Sequence, residues 1–320
     1  MKRRLLSIVL LGLAACQTPE ASSKVRLPMG FVPNVQYAPF YVALDRGYYA
    51  EEGIDLEFDY SFETDGVKLV GAGELPFSLA SGEQVLLARA QELPVVYVMA
   101  WWQDFPIAIA APAESGIEAP QDLEGAHIGI PGTFGASYVG FRALLHAAGL
   151  TEQDVTLDSI GFNQVESLVA GQVQVVVVYA NNEPLQLNAR GHPVNVVRVA
   201  DYVDLASNGI LTNESMLTNN PDAVRGMIRA TLRGLSDTIE DPEAAFEISK
   251  KYIEGLDQMS AADQDLQREV LAKSIEFWMA DKPGHSDSQA WENMQTVLLE
   301  MDLLSEPMDV SAAFTNDYLP

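Results

Sequence analysis

From Lys24 onward, short apolar runs alternate with stretches whose apolar residues recur at helical spacing, and glycines punctuate the joints. Residues 25–29 read as a strand, 37–46 as a helix closed by Gly47, and 54–58 as a second strand. Helical spacing over 67–72 ends at Gly73, and a strand over 75–79 runs into Ala80-Ser81-Gly82-Glu83, where Ser81 is placed to cap a helix over 83–90. A strand over 95–100 then leads into Trp101-Trp102-Gln103-Asp104. The pattern restarts after Ala110 with a strand at 128–130, a glycine-rich loop at 131–135, and helices over 137–148 and 165–170 stopped by Gly149 and Gly171. Residues 173–178, nearly all valine, read as a strand buried on both faces. The succession of helix, glycine and strand over 69–78 recurs over 168–176, a weak internal similarity that suits two lobes built on one plan.

Beyond Ile210 the period becomes almost entirely helical, with amphipathic runs at 222–240, 243–252, 264–279 and 288–304. Pro221-Asp222 and Pro242-Glu243 look like helix starts with acidic first turns. The whole predicts an α/β protein of mostly parallel sheets flanked by helices, with residues 25–106 and 208–320 in lobe 1 and 107–207 in lobe 2. The chain leaves the first pattern near 105–108 and returns near 207–210, which places a hinge at both crossings.

The first residues set the compartment. Lys2, Arg3 and Arg4 precede a short apolar run over 5–13, a signal peptide over 1–15 that ends in Leu13-Ala14-Ala15-Cys16. Small residues before a cysteine resemble a bacterial lipobox, so Cys16, the only cysteine, is expected to be lipidated, with 16–24 as a tether on the outer face of the cell membrane. A single cysteine leaves no disulfide framework and no thiolate metal site. The formal charge of −26 makes nucleic acid an unsuitable partner.

Catalytic patterns are missing. His127, His146, His192 and His285 lack metal-ligand spacing, Gly135 to Gly140 is one residue too long for a nucleophile elbow, and the loop from Gly129 to Gly135 fits neither phosphate-binding fingerprint. No metal, cofactor or catalytic residue is expected. Rings and amides recur instead at strand-to-helix junctions: Asn34 with Tyr37, Phe40 and Tyr41; Trp101 and Trp102 with Gln103; Phe134 with Ser137 and Tyr138; Tyr179 with Asn181, Asn182 and Glu183. Strand carboxyl ends are where open α/β sheets bind ligands, and rings there can stack on a flat molecule while amides and carboxylates read its edge. Between Leu27 and Ala110 the only cations, Arg46, Lys68 and Arg89, fall in helix bodies or ends, so a neutral or weakly cationic heterocycle suits the site better than an anion.

The segment Gly30-Phe31-Val32-Pro33-Asn34-Val35-Gln36-Tyr37-Ala38-Pro39-Phe40-Tyr41, with Arg46-Gly47-Tyr48-Tyr49 and Glu52-Gly53-Ile54, resembles the opening of substrate-binding proteins related to thiamin-pyrimidine synthase. Pro131 to Gly135 and Asn182-Glu183-Pro184 continue the resemblance, which spans about 25–245. It implies the two-lobed periplasmic-binding fold of type II, a small-molecule ligand, and delivery to an ABC permease and its ATPase. Pyrimidine binders of this family carry Trp and His where this chain has Phe31 and Tyr37, and the synthase branch carries a cysteine-rich segment absent here. The Val-Gln-Tyr-Ala-Pro-Phe-Tyr version is more similar to the riboflavin-binding branch; a thiamin-precursor pyrimidine is the alternative, with a sulfonate or nitrate binder or a synthase further off. Carried onto this chain, the resemblance implies a site of Asn34, Tyr37, Glu83, Trp101, Trp102, Gln103, Thr133, Phe134, Ser137, Tyr179, Asn182 and Glu183, to which the ring-and-amide clusters add Tyr41.

Overall fold

In the computed structural model, residues 24–320 are described; the signal-peptide and lipidation expectations for 1–23 lie outside them. Lys24, assigned above to the tether, already pairs with Glu57 at 3.1 Å on an exposed strand edge. β1 (Val25–Gly30) leads through a short 3₁₀ turn to α1 (Ala38–Asp45) and α2 (Tyr48–Glu51), then to β2 (Leu56–Phe62), α3 (Glu63–Gly71), β3 (Ser78–Ala80), α4 (Gly82–Ala90) and β4 (Val95–Ala100). The second lobe runs β5 (Ile107–Pro112), β6 (His127–Ile130), α5 (Gly135–Ala147), β7 (Thr156–Ser159), α6 (Gln164–Val169), β8 (Val175–Tyr179), α7 (Glu183–Ala189) and β9 (Val194–Arg198). β10 (Gly209–Asn213) returns to the first lobe, followed by α8 (Glu214–Asn219), α9 (Pro221–Glu240), α10 (Pro242–Ser249), α11 (Ala261–Trp278) and α12 (Ser288–Glu300).

Most strands of each lobe share a direction, as expected, but the pairing is mixed, three parallel ladders to four antiparallel, because one reversed strand sits inside each of the two larger sheets, and that strand is the one that crosses between the lobes. β10 lies antiparallel between β3 and β4, so β3 and β4 share a direction. In the five-stranded sheet of order β7-β6-β8-β5-β9, β6 is parallel to β7 and β8 while β5 is antiparallel to β8 and β9. β1 and β2 pair in parallel. A chain arriving from the other lobe enters at the hinge end, opposite to the strands that crossover helices feed. Gly209 is required there: a β-carbon would lie 2.1 Å from the Met99 carbonyl oxygen.

The internal repeat becomes concrete: β1-α1-β2-α3-β3 in one lobe and β6-α5-β7-α6-β8 in the other follow the same order. β7 escapes the hydrophobic pattern because it is a sheet edge; the Thr156–Ser159 segment is mostly exposed and polar. β2 runs to Phe62 rather than ending at 58, and α3 starts directly after it. The C-terminal helices do more than complete the first lobe. α9 lies so close on α1 that a β-carbon at Gly234 would sit 2.1 Å from the Pro39 carbonyl oxygen, whereas α11 also packs on α7 and α12 on α5, both in the second lobe. No helix among the described residues is long and apolar enough to cross a membrane.

Candidate functional site

The carboxyl ends of β1, β2, β3 and β4 face those of β6, β7 and β8 across a cleft with a cavity of about 310 Å³. Its floor is aromatic. Tyr37 stacks on Trp101 with ring centres 5.3 Å apart and planes 26° apart, and its hydroxyl donates to the Met29 carbonyl at 2.7 Å. Trp102 meets Trp101 edge-on at 5.4 Å and Tyr179 at 6.0 Å. Trp101 and Trp102 leave β4 at the crossing, where both backbone N–H groups donate to the Asn208 carbonyl at 3.0 Å. Burial raises the Tyr37 and Tyr179 hydroxyl pKa values far above the ordinary value, so both stay neutral donors.

The rim differs. Phe31 and Phe62 on one lobe confront Phe134 and Phe162 on the other, and Phe31 touches Phe162 edge-to-face across the cleft at 4.8 Å and 82°. Phe134 folds over Gly132, where a β-carbon would come 2.6 Å from its ring. Phe62, Phe134 and Phe162 are 56%, 56% and 50% exposed, so much of each ring surface is open to a ligand.

Between floor and rim lie carboxylates and amides. Glu183, at the start of α7, accepts from the Tyr179 backbone N–H at 2.9 Å and the Asn182 side chain at 3.2 Å, and burial pushes its pKa up to about 7. Glu63, opening α3, accepts from the backbone N–H of Ser81 and from its hydroxyl at 2.7 Å. The same hydroxyl touches Glu83, which is fully buried, and burial together with the Glu63 charge raises Glu83 to about 8. The buried Trp101 Nε1 and Asn208 Oδ1 have no hydrogen-bond partner, leaving one donor and one acceptor in residues that line the cavity. Among the described residues, no lysine, arginine or histidine lines it and no cluster suited to a metal ion occurs.

Of the expected site residues, Tyr37, Trp101, Trp102, Phe134, Ser137, Tyr179, Asn182 and Glu183 come together in this lining. The other five lie elsewhere. Asn34 caps the 3₁₀ turn, its Oδ1 accepting from the Gln36 N–H at 3.0 Å. Tyr41 belongs to the core, stacked on Tyr252 at 4.8 Å and 7° and sharing a 3.0 Å hydrogen bond with Tyr60. Gln103 donates to the Ala100 carbonyl at 3.2 Å in the crossing. Glu83 sits behind the lining, and Thr133 lines a neighbouring cavity of about 240 Å³ with Lys68, Gln84 and Tyr138. Ser81 occupies the cap position of α4 without capping it, because its hydroxyl is committed to the two carboxylates. Missed by sequence reasoning were Gln36, Phe62, Glu63, Gly161, Phe162, Gln164 and Asn208. Strand-end position was the available signal for Phe62 and Phe162.

A riboflavin-binding protein, RibY of Chloroflexus aurantiacus, is 42% identical to this chain over 305 residues, covering 93% of this chain and 86% of that protein. The formylaminopyrimidine-binding protein of Halalkalibacterium halodurans is 28% identical, covering 97% of both chains. Among solved structures, the alkanesulfonate-binding protein SsuA of Xanthomonas axonopodis pv. citri superposes with a TM-score of 0.70 over 92% of this chain and 100% of its own, at 14% identity; that likeness speaks for the two-lobed periplasmic-binding fold alone. Residues 34–245 match the NMT1/THI5-like family, and this match, together with the relatives above, shows that the chain belongs to it.

Proposed function

We propose that this protein is the solute-binding component of an ABC importer, held outside the cell membrane by a lipid on Cys16, and that its ligand is riboflavin. The observation that carries the ligand is a cation-free cavity walled by rings, in a chain 42% identical to a riboflavin-binding protein. A three-ring heterocycle offers a face wide enough to meet the floor and rim rings together, each stacked pair adding about 0.5–1.5 kcal/mol beyond burial. Residues 25–106 and 208–320 are read as one lobe and 107–207 as the other, closing at the paired crossings where Trp101, Trp102 and Asn208 meet.

Thermal melts with riboflavin, FMN, formylaminopyrimidine, an alkanesulfonate and nitrate test this reading. A ligand at a hundred times its Kd stabilises by about 2.7 kcal/mol, a shift of several degrees. Riboflavin is expected to give the largest shift and the two anions none. FMN should stabilise less than riboflavin, since its phosphate would enter a lining that holds two glutamates and no arginine fork. A shift with an alkanesulfonate and none with riboflavin would refute the ligand assignment.

A further inference from the structure

Two carboxylates flank the cleft, and the hydrogen bonds distinguish them. Both oxygens of Glu183 are already engaged, Oε2 by the Tyr179 N–H and Oε1 by the Asn182 amide. Glu63 divides its oxygens differently. Oε1 takes both hydrogen bonds from Ser81. Oε2 has no hydrogen-bond partner among the described residues, and it lies 4.0 Å from the point where a β-carbon on Gly135 of the opposite lobe would sit. Glu63 and Gly135 both line the cavity, so this oxygen reaches towards the opposite lobe beside the space open to a ligand.

Hydrogen bonding at Ser81 then orders the two carboxyls: burial raises the Glu63 pKa as well, but both hydrogen bonds from Ser81 pull it back down. The Ser81 hydroxyl has one hydrogen but lies within hydrogen-bond distance of two carboxyl groups, Glu63 and Glu83. If it donates to Glu63, its contact with Glu83 is satisfied only when Glu83 carries a proton and donates to the Ser81 oxygen. The reverse order would place the proton on Glu63, whose Oε1 also accepts from a backbone N–H, an interaction that favours the ionised form there. Glu83, fully buried with Oε2 unpartnered, is the costlier place for a charge. The relay therefore runs from Glu83 O–H to Ser81 and from Ser81 O–H to Glu63.

We propose that Glu63 is the charged ligand contact of this cleft: its Oε2 accepts a hydrogen bond from a donor on a neutral solute, while Ser81 and protonated Glu83 hold it in place. The inference rests on the riboflavin reading and extends it to a residue for which family resemblance offered no role. Two groups on a flavin have the required chemistry, the ring imide N–H and the hydroxyls of the side chain, and lumiflavin, which keeps the imide and lacks the polyol, separates them.

The test titrates wild-type protein, Glu63→Gln and Ser81→Ala with riboflavin and with lumiflavin, alongside a melt of each ligand-free protein. Gln keeps an acceptor for Ser81 but loses the charge, so Glu63→Gln is expected to weaken riboflavin about tenfold to a hundredfold while its melting point moves little. An equal loss for lumiflavin assigns the donor to the imide; a loss confined to riboflavin assigns it to the polyol; either supports the contact. Riboflavin and lumiflavin affinities both within twofold of wild type overturn it. Should Glu63→Gln fail to fold, Ser81→Ala decides: weakening of threefold or more supports the relay, and unchanged affinity overturns it. If wild-type protein ignores riboflavin, the flavin reading falls first and this inference falls with it.

Discussion

The floor and the rim of the cleft are both aromatic, yet they obey different physics. Tyr37, Trp101 and Trp102 are at most 4% exposed and spend most of their surface on one another, on Phe40 and on Trp278. Phe62, Phe134 and Phe162 are half exposed and contact few neighbours. Floor rings are thus core that borders the cleft, while rim rings have apolar surface left open to it. An aromatic at a strand end is consequently two signals, and burial separates them.

Replacing a ring on each side sharpens the contrast. Trp101→Ala should produce the largest effect, destabilising the ligand-free protein by about 3–5 kcal/mol in denaturant unfolding, because it empties the centre of the aromatic box. Unchanged stability with lost affinity would show Trp101 to be a rim-type residue after all. Phe134→Ala should invert the pattern, leaving the melting point nearly unchanged and weakening riboflavin by about 0.5–1.5 kcal/mol in a fluorescence titration. A fall in melting temperature without loss of affinity would erase the distinction.

The third contrast is in pH dependence and concerns the buried carboxyls beside the cleft. Burial first, and then Glu63, raises Glu83 to about 8, and burial raises Glu183 to about 7. For acids whose folded pKa is raised, the neutral form is the one the fold favours. Their contribution to stability is present below the ordinary carboxylate range and is lost as pH climbs through 7 and 8. The melting temperature should therefore fall between pH 5 and 8.5, with Glu83→Gln flattening the slope. Equal slopes for wild type and variant would mean that Glu83 is ionised in the fold.

How much of this was legible depended on the kind of signal each residue carries. The alternation of strands and helices, the glycine stops and the repeated plan could be read because hydrophobic period and backbone freedom are local. β7 could not, since the edge strand Thr156–Ser159 has no apolar run. That gap had a direct consequence: without β7 and with β2 ended at 58, the junctions bearing Phe62, Glu63 and Phe162 were not recognised as strand ends. Tyr41 erred in the other direction. It follows Tyr37 by one helical turn, but the face it presents packs on Phe58 and Tyr252, and only the tertiary fold settles which turn of a helix meets a cleft. Asn34 and Ser81 are short polar residues at helix starts, where capping and bridging compete with ligand contact for the same atoms.

The most direct test of the flavin-binding account is a titration of riboflavin with purified protein, following flavin emission. Rings stacked on the isoalloxazine should quench it saturably, with one site per chain and a Kd in the micromolar range or below. Unquenched emission at micromolar protein, from a sample that formylaminopyrimidine does stabilise in a melt, would contradict the account of the ligand.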